Sequence, residues 1–284
     1  MILNHVQKIL SAQESLLRGV KDVQLIPIKT PLIKVGDDII EVLVNSMKRK
    51  KVRLKSGDIL VISSKVIALS EGRIIRYDII KPSRRAYRLA KKYFLDAGFV
   101  ELVLREADEI FGGVPRAILT LKNGILVPNA GIDISNAPQG HAILWPKNPK
   151  AAARKLKEEI EEKFGVKIGV IIADSHCTPL RLGTTGIAIA TAGFKPVIDE
   201  RGKIDLFGNK LKITLHAVAD DLASAAHAIM GETNKSIPAV LIRNSGIKLE
   251  NQDDYNMFMS PDKCLFSSIY IKKVKRLALK YSRS

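Results

Sequence analysis

The sequence predicts an α+β fold of mixed and antiparallel sheets with packed helices, and three observations carry that prediction. Helical and strand patterns mix without a strict strand–helix–strand rhythm, which argues against a doubly wound parallel sheet. Lys122-Asn123-Gly124 separates two apolar runs in the manner of a hairpin turn, so at least part of the sheet is antiparallel. Hydrophobic residues make up 46% of the 284 positions and charged residues 26%, a globular balance that excludes disorder as the main state. No apolar run is long enough to span a bilayer, and the first ten residues lack the basic and apolar regions of a signal peptide. Cys177 and Cys264 exclude a disulfide framework and a four-cysteine zinc site. The expectation is a cytoplasmic chain with no membrane partner.

The elements follow in order. Ile2, Leu3, Val6, Ile9, Leu10, Leu16 and Leu17 form a helical stripe that ends near Gly19. Val23 to Ile28 alternates like a strand. Asp37 and Asp38 open a helix to about Met47, and Ile59–Ile62 is a short strand delivering Ser63-Ser64-Lys65 at its end. Ser83 caps a helix containing Ala86, Leu89, Ala90 and Phe94. A second helix covers Phe99 to Ile110, stopped by Gly112-Gly113, and Ala117–Leu121 with Ile125–Val127 forms the hairpin. The helix from Ala151 to Phe164 carries i,i+4 charge pairs and ends at Gly165. Strands are expected at Ile168–Ala173, Gly186–Thr191 and Leu211–Ala217. A helix capped near Asp220 then runs to Gly231, and the strand Ile237–Ile242 closes the core.

The charge balance is +17, from 46 Lys+Arg against 29 Asp+Glu. Two runs stand out: Lys48 to Lys55, and Lys272 to Arg283 at the C-terminus. Neither is interleaved with aromatics, so a solvated basic face is the first reading and nucleic-acid binding the second.

Three acids occupy telling positions. Asp133 lies in a loop directly after a strand, Asp174 ends a buried-looking strand and is followed by Ser175, and Glu232 follows the glycine that ends a helix. A helix C-terminus carries partial negative charge, so Glu232 calls for a compensating cation. Three carboxylates and a hydroxyl from separate loops suit Mg²⁺ or Mn²⁺ with positions open to phosphate oxygens. The same acids also read as turn and helix caps, and the residues alone leave both readings open.

The segments Thr30-Pro31-Leu32-Ile33, Asn129 to Asn136, Asp174-Ser175, Asp205-Leu206-Phe207-Gly208, Val218-Ala219-Asp220-Asp221, Met230-Gly231-Glu232 and Ile237-Pro238-Ala239-Val240 occur in a distinctive order. This series resembles the coenzyme F420-0:L-glutamate ligase family, which includes the γ-glutamyl ligase of the deazaflavin coenzyme. The resemblance implies a core at residues 25–250 with a subdomain junction near 145–150, a helical extension at 1–24 and a basic tail at 251–284. It implies a two-subdomain fold, an intertwined homodimer, GTP as co-substrate and Mg²⁺ or Mn²⁺ as cofactor. Metal ligands would be Asp133, Asp174, Ser175 and Glu232. Nucleotide contacts would be Thr30, Pro31, Leu32, Ile33, Ser64, Lys65, Asn136 and the segment Met230, Gly231, Glu232, Thr233, Asn234, Lys235, Ser236, Ile237. Lys65 and Arg181 would carry catalytic charge. Such ligases move a γ-phosphate to a substrate carboxylate, and the amine of glutamate attacks the resulting acyl phosphate.

The chain also departs from the family pattern. Leu69 stands where a second lysine is usual, the arginine-rich stretch after the Asp-Ser pair keeps only Arg181 (Thr178 replaces another arginine), and the glycine-rich turn after Glu232 reads Thr233-Asn234-Lys235-Ser236. These changes predict that nucleotide binding persists through Lys65, Lys235 and the metal while the acceptor acid differs. The alternative is a non-catalytic descendant that binds nucleotide or RNA. Asn234-Lys235-Ser236 lacks the glycines of a P-loop, Ser63-Ser64-Lys65 does not by adjacency make a Ser–Lys nucleophile, and His176 and Cys177 with His141, His216 and His227 match no common zinc spacing. Trp145 is expected to pack at a loop.

Overall fold

The computed structural model describes residues 22–252, 255–260 and 263–266. The expected N-terminal helix and the C-terminal basic run lie outside the described residues. The strands are β1 (Gln24–Ile28), β2 (Ile59–Ser63), β3 (Ile74–Arg76), β4 (Glu109–Val114), β5 (Ala117–Lys122), β6 (Ile125–Pro128), β7 (His141–Ile143), β8 (Gly169–His176), β9 (Thr185–Ala192), β10 (Ile198–Asp199), β11 (Leu215–His216) and β12 (Ala239–Arg243). The helices are α1 (Ile39–Arg49), α2 (Ser64–Ser70), α3 (Arg84–Tyr93), α4 (Ala97–Glu106), α5 (Pro149–Phe164) and α6 (Val218–Met230).

Five strands form the central sheet in the order β1-β12-β2-β8-β9. Every neighbouring pair is antiparallel except β2 and β8, which run parallel with Ile59 opposite Gly169 and Ser63 opposite Ala173. The sheet is covered on both faces, which explains why its strands read as unbroken apolar runs. Leu60, Ile62, Val170, Ile172 and Leu241 pack beneath α1 and α5. Ile59, Val61, Ile171, Val240 and Ile242 point the other way, beneath α6. A third apolar cluster is built from α3, α4 and residues of the β4–β5–β6 and β3–β7 sheets.

Local chemistry accounts for most boundaries. Asp38 accepts the Glu41 N–H at 3.0 Å to start α1, Ser83 and Asp96 do the same for α3 and α4, and Asn148 caps α5 with Pro149 at its first position. Gly165 ends α5 in a left-handed conformation, φ +64°.

Five expectations change. Ser64 and Lys65 open α2 rather than trailing a strand. The helix expected to Ile110 stops at Glu106, and the Gly112-Gly113 pair lies inside β4, where the pairing slips by a bulge. Only Leu215 and His216 of the strand expected at 211–217 pair with β10, because the preceding residues turn back on residues 203–205 as a loop. Asp220 does not cap α6; its carboxylate instead accepts the Ala188 N–H at 2.9 Å. Phe94 is the left-handed residue after α3, φ +54°, and is exposed. Among the described residues no helix is long and apolar enough to cross a membrane.

Candidate active site

β2 and β8 end side by side, and ligands of sheets with parallel strands collect beyond such carboxyl ends. Here they open onto a cavity of about 280 Å³. The segment after β1 and the one before β12 form the adjoining wall, tied to each other by Thr30 N–H to the Ser236 carbonyl (3.0 Å) and to the end of β2 by Ser63 N–H to the Pro238 carbonyl (2.9 Å).

The loop after β6 delivers Asp133. Asn129, Ala130 and Gly131 are all left-handed, with φ of 52°, 55° and 70°. For the two non-glycine residues this conformation is strained. It is held by Asn129 Oδ1, which accepts the Ile118 N–H, and by buried Thr120 Oγ1, which accepts the Ala130 N–H. Gly131 is required twice over: a Cβ there would lie 2.3 Å from the Trp145 indole. Asp133 then exchanges two backbone hydrogen bonds with Ile143 and accepts the Ser135 N–H and Oγ–H at 2.6 and 2.8 Å. Lys65, from the first turn of α2, brings its ammonium to 2.7 Å from Asp133 Oδ2 and 2.8 Å from Ser135 Oγ. Burial pushes the Asp133 carboxyl up, but Lys65 and the Ser135 donors outweigh it, and it titrates below its usual range.

Asp174 follows a bulge in β8 and sits just past the end of β2. Trp145 Nε1–H donates to Oδ2 at 2.5 Å and Ser64 Oγ–H to Oδ1 at 2.9 Å. Burial nevertheless pushes its carboxyl up to about 6, and neighbouring Asp133 adds to the rise. Trp145 is therefore more than loop packing. It is almost fully buried, and its carbonyl accepts from Arg73, which in turn pairs with Glu106.

Glu232, beyond the end of α6, accepts Thr184 Oγ1–H at 2.6 Å and the His227 Nε2–H at 2.7 Å. The partner that meets Glu232 at this helix terminus is thus a histidine in the last turn of α6, which donates a hydrogen bond to the carboxylate. Gly186 makes room for it, since a Cβ there would fall 2.6 Å from His227 Cβ.

Every expected nucleotide and metal residue lines the cavity except Ser64 and Lys235, and the expected catalytic Arg181 also lies outside it. Ser64 reaches the site through Asp174, whereas the Lys235 side chain lies over Gly231. Arg181 is exposed on the loop after β8. Leu69 does face the cavity. The expected three-carboxylate cluster is not drawn together: among the described residues no group of three His, Cys, Asp or Glu side chains is arranged to hold a metal ion. Lys65 engages Asp133, while Thr184 and His227 engage Glu232. The oxygen donors are nonetheless those a hard divalent cation takes, and a buried carboxylate beside a second acid is electrostatically receptive to one.

Comparison with known proteins bears on this arrangement. Residues 27–244 match the family model described as F420-0:Gamma-glutamyl ligase. The chain belongs to that family. Among its relatives is the "Coenzyme F420:L-glutamate ligase" of Methanopyrus kandleri, 40% identical over 219 residues, which cover 77% of this chain and 85% of the relative. Proteins of the same name from Archaeoglobus fulgidus and Methanocaldococcus jannaschii are each 39% identical, covering 79% and 83% of this chain and 89% and 93% of their own lengths. The family match begins just before Thr30 and ends just after β12, so it contains every cavity-lining residue. His227, Trp145 and Thr184 are contributors that the sequence reading missed. For His227 a signal existed in its position five residues before an acid at a helix end. Trp145 and Thr184 gave none, because both meet their partners only through the tertiary fold.

Proposed function

We propose that the protein is a nucleotide- and divalent-metal-dependent ligase that forms an amide between glutamate, or a similar amino acid, and a small-molecule carboxylate. The observation that carries this reading is the convergence of Lys65, Asp133, Asp174, Ser175 and Glu232 on one cavity walled by residues 30–33 and 230–238. The relatives' shared name supplies the reaction class. GTP is the nucleotide we assign, from the family resemblance. Asp133, Asp174, Ser175 and Glu232 would hold the metal, which supplies charge stabilisation for the phosphates and alignment of the displacement.

In this reading an acceptor carboxylate oxygen attacks the γ-phosphorus and GDP leaves. The amine nitrogen of glutamate then attacks the acyl carbon, the C–O bond to phosphate breaks, and the amine gives up a proton. Lys65 faces the cavity as a point charge for phosphate, and Asn136 and the 230–238 backbone position the nucleotide. Trp145 and Ser64 orient Asp174 by hydrogen bonding. A second copy of the chain is part of the proposal. Leu180, Leu182, Leu206, Phe207 and Ile213, on two loops, are each at least 87% exposed in the single chain, apolar side chains that a homodimer would cover.

The test is mass spectrometry of products after incubating the full chain with GTP, Mg²⁺ or Mn²⁺, glutamate and a panel of acids. A coenzyme F420 acid heads the panel because of the relatives' name, and Leu69 favours an acceptor with less anionic character at that wall. A glutamyl adduct is expected. Tight GTP binding with no adduct from any acid would favour the non-catalytic descendant.

A further inference from the structure

Between Asp78 and Asp96 the chain carries six cations and no acid: Lys81, Arg84, Arg85, Arg88, Lys91 and Lys92. Five of them lie on α3, and all six are exposed. Helical spacing sorts the α3 residues sharply. Arg84, Arg88 and Lys91 fall at i, i+4 and i+7 along one crest, with Arg85 and Lys92 on one flank and Tyr87, 59% exposed, on the other. Ala86, Ala90 and Tyr93 occupy the opposite side and are buried in the third apolar cluster.

Among the described residues none of the six has an acidic partner, although Lys92 Nζ lies 5.1 Å from the Tyr93 ring centroid. The nearby acids are committed elsewhere. Asp78 pairs with Arg76, Glu101 with Arg105 and the Ser83 N–H, and Asp96 with the Phe99 N–H. Like charges at Arg84/Arg88 and Arg88/Lys92 repel at i,i+4, and two arginines sit in the first turn, where the helix dipole disfavours cations. Lys91 and Lys92 sit favourably at the C-terminal end of the dipole, so the cost is concentrated at Arg84, Arg85 and Arg88, and a polyanion partner would relieve it.

We propose that the crest of α3 is a docking strip for the phosphodiester backbone of single-stranded RNA. Arginine-rich cations match phosphate, and exposed Tyr87 and Phe94, the latter 75% exposed at the end of the helix, offer ring faces for base stacking. A bilayer fits less well, because the apolar stripe of α3 is already buried in the protein and cannot insert. The strip is separate from the candidate active site, since no α3 residue lines that cavity, and it rests on no part of the ligase reading.

The experiment is fluorescence anisotropy of the full chain with a labelled oligouridylate of about 20 nucleotides, longer than usual non-specific site sizes, over a series of KCl concentrations. Arg84→Gln/Arg88→Gln/Lys91→Gln is compared with Lys48→Gln/Lys50→Gln/Lys51→Gln, which removes equal charge from another exposed run. The α3 variant should bind about tenfold more weakly at moderate salt. Its log–log salt slope should fall by about 2, as expected for three lost phosphate contacts. The control variant should change far less, and Tm of the α3 variant should hold or rise as repulsion is relieved. Tyr87→Ala should weaken binding about fivefold or more with the slope unchanged. Equal losses in the two triple variants, or no effect of Tyr87→Ala, would overturn the proposal. So would tighter α3-dependent binding to polyglutamate or to phosphatidylserine vesicles than to the RNA.

Discussion

At Asp174 burial raises the carboxyl to about 6 although Trp145 and Ser64 both donate to it, so the folded chain favours the neutral form. The folded value lies above the unfolded one, so this group's contribution is favourable at acid pH. It is lost as pH climbs from the ordinary carboxylate range through about 6. In chelator, Asp174→Asn should therefore be more stable than the parent at pH 7.5, by up to about 3 kcal/mol, and no more stable at pH 3.5. The same variant should lose Mg²⁺-dependent nucleotide binding. Thermal denaturation at the two pH values checks the first half, and calorimetric titration checks the second. Lys65 makes the complementary case. Its ammonium lies on Asp133 and faces the cavity, so Lys65→Ala should weaken GTP by about tenfold or more, as loss of a charge-assisted contact does. Lys91→Ala, exposed and not among the lining residues, should leave GTP affinity unchanged in the same titration.

At the scale of elements, the contact between β9 and α6 sets the geometry of Glu232. Gly186 lies under the last turns of α6, where a methyl would meet the Ala223 carbonyl at 2.5 Å as well as His227. Gly186→Ala should destabilise the chain by about 1–3 kcal/mol and displace His227 from Glu232, measurable by urea unfolding. The central strands and the starts of α1 and α3 were legible from the chain alone, because Asp38, Ser83 and the runs Ile59–Ile62 and Gly169–Ala173 are governed by local chemistry. The boundaries that failed depend on neighbours distant in sequence. Asp220 looks like a cap until β9 presents the Ala188 N–H, and Gly112-Gly113 looks like a helix stop until β5 pairs beside it.

For the whole molecule, the segments at Thr30–Ile33, Asp133 to Asn136, Asp174-Ser175, Met230–Glu232 and Ile237-Pro238 meet at one cavity because the sheet topology gathers those element ends, whereas Asp205–Gly208 and Val218–Asp221 contribute no lining residue. The charges within it were not legible. Sequence spacing could not reveal that Lys65 pairs with Asp133, that Trp145 holds Asp174, or that Arg181 stands away from the lining. Assembly belongs to this scale too. Light scattering at micromolar concentration should report about twice the chain mass of 31.3 kDa, and Leu180→Lys/Phe207→Lys should shift it toward the monomer. A monomer in the unmodified protein would contradict the homodimer. The most direct test of the central claim is release of GDP by the purified full chain in the presence of Mn²⁺ and glutamate, with and without an acid acceptor. The account predicts release that depends on both metal and acceptor and is lost in Asp174→Asn. Release indifferent to every acceptor, or undiminished in Asp174→Asn, would contradict it.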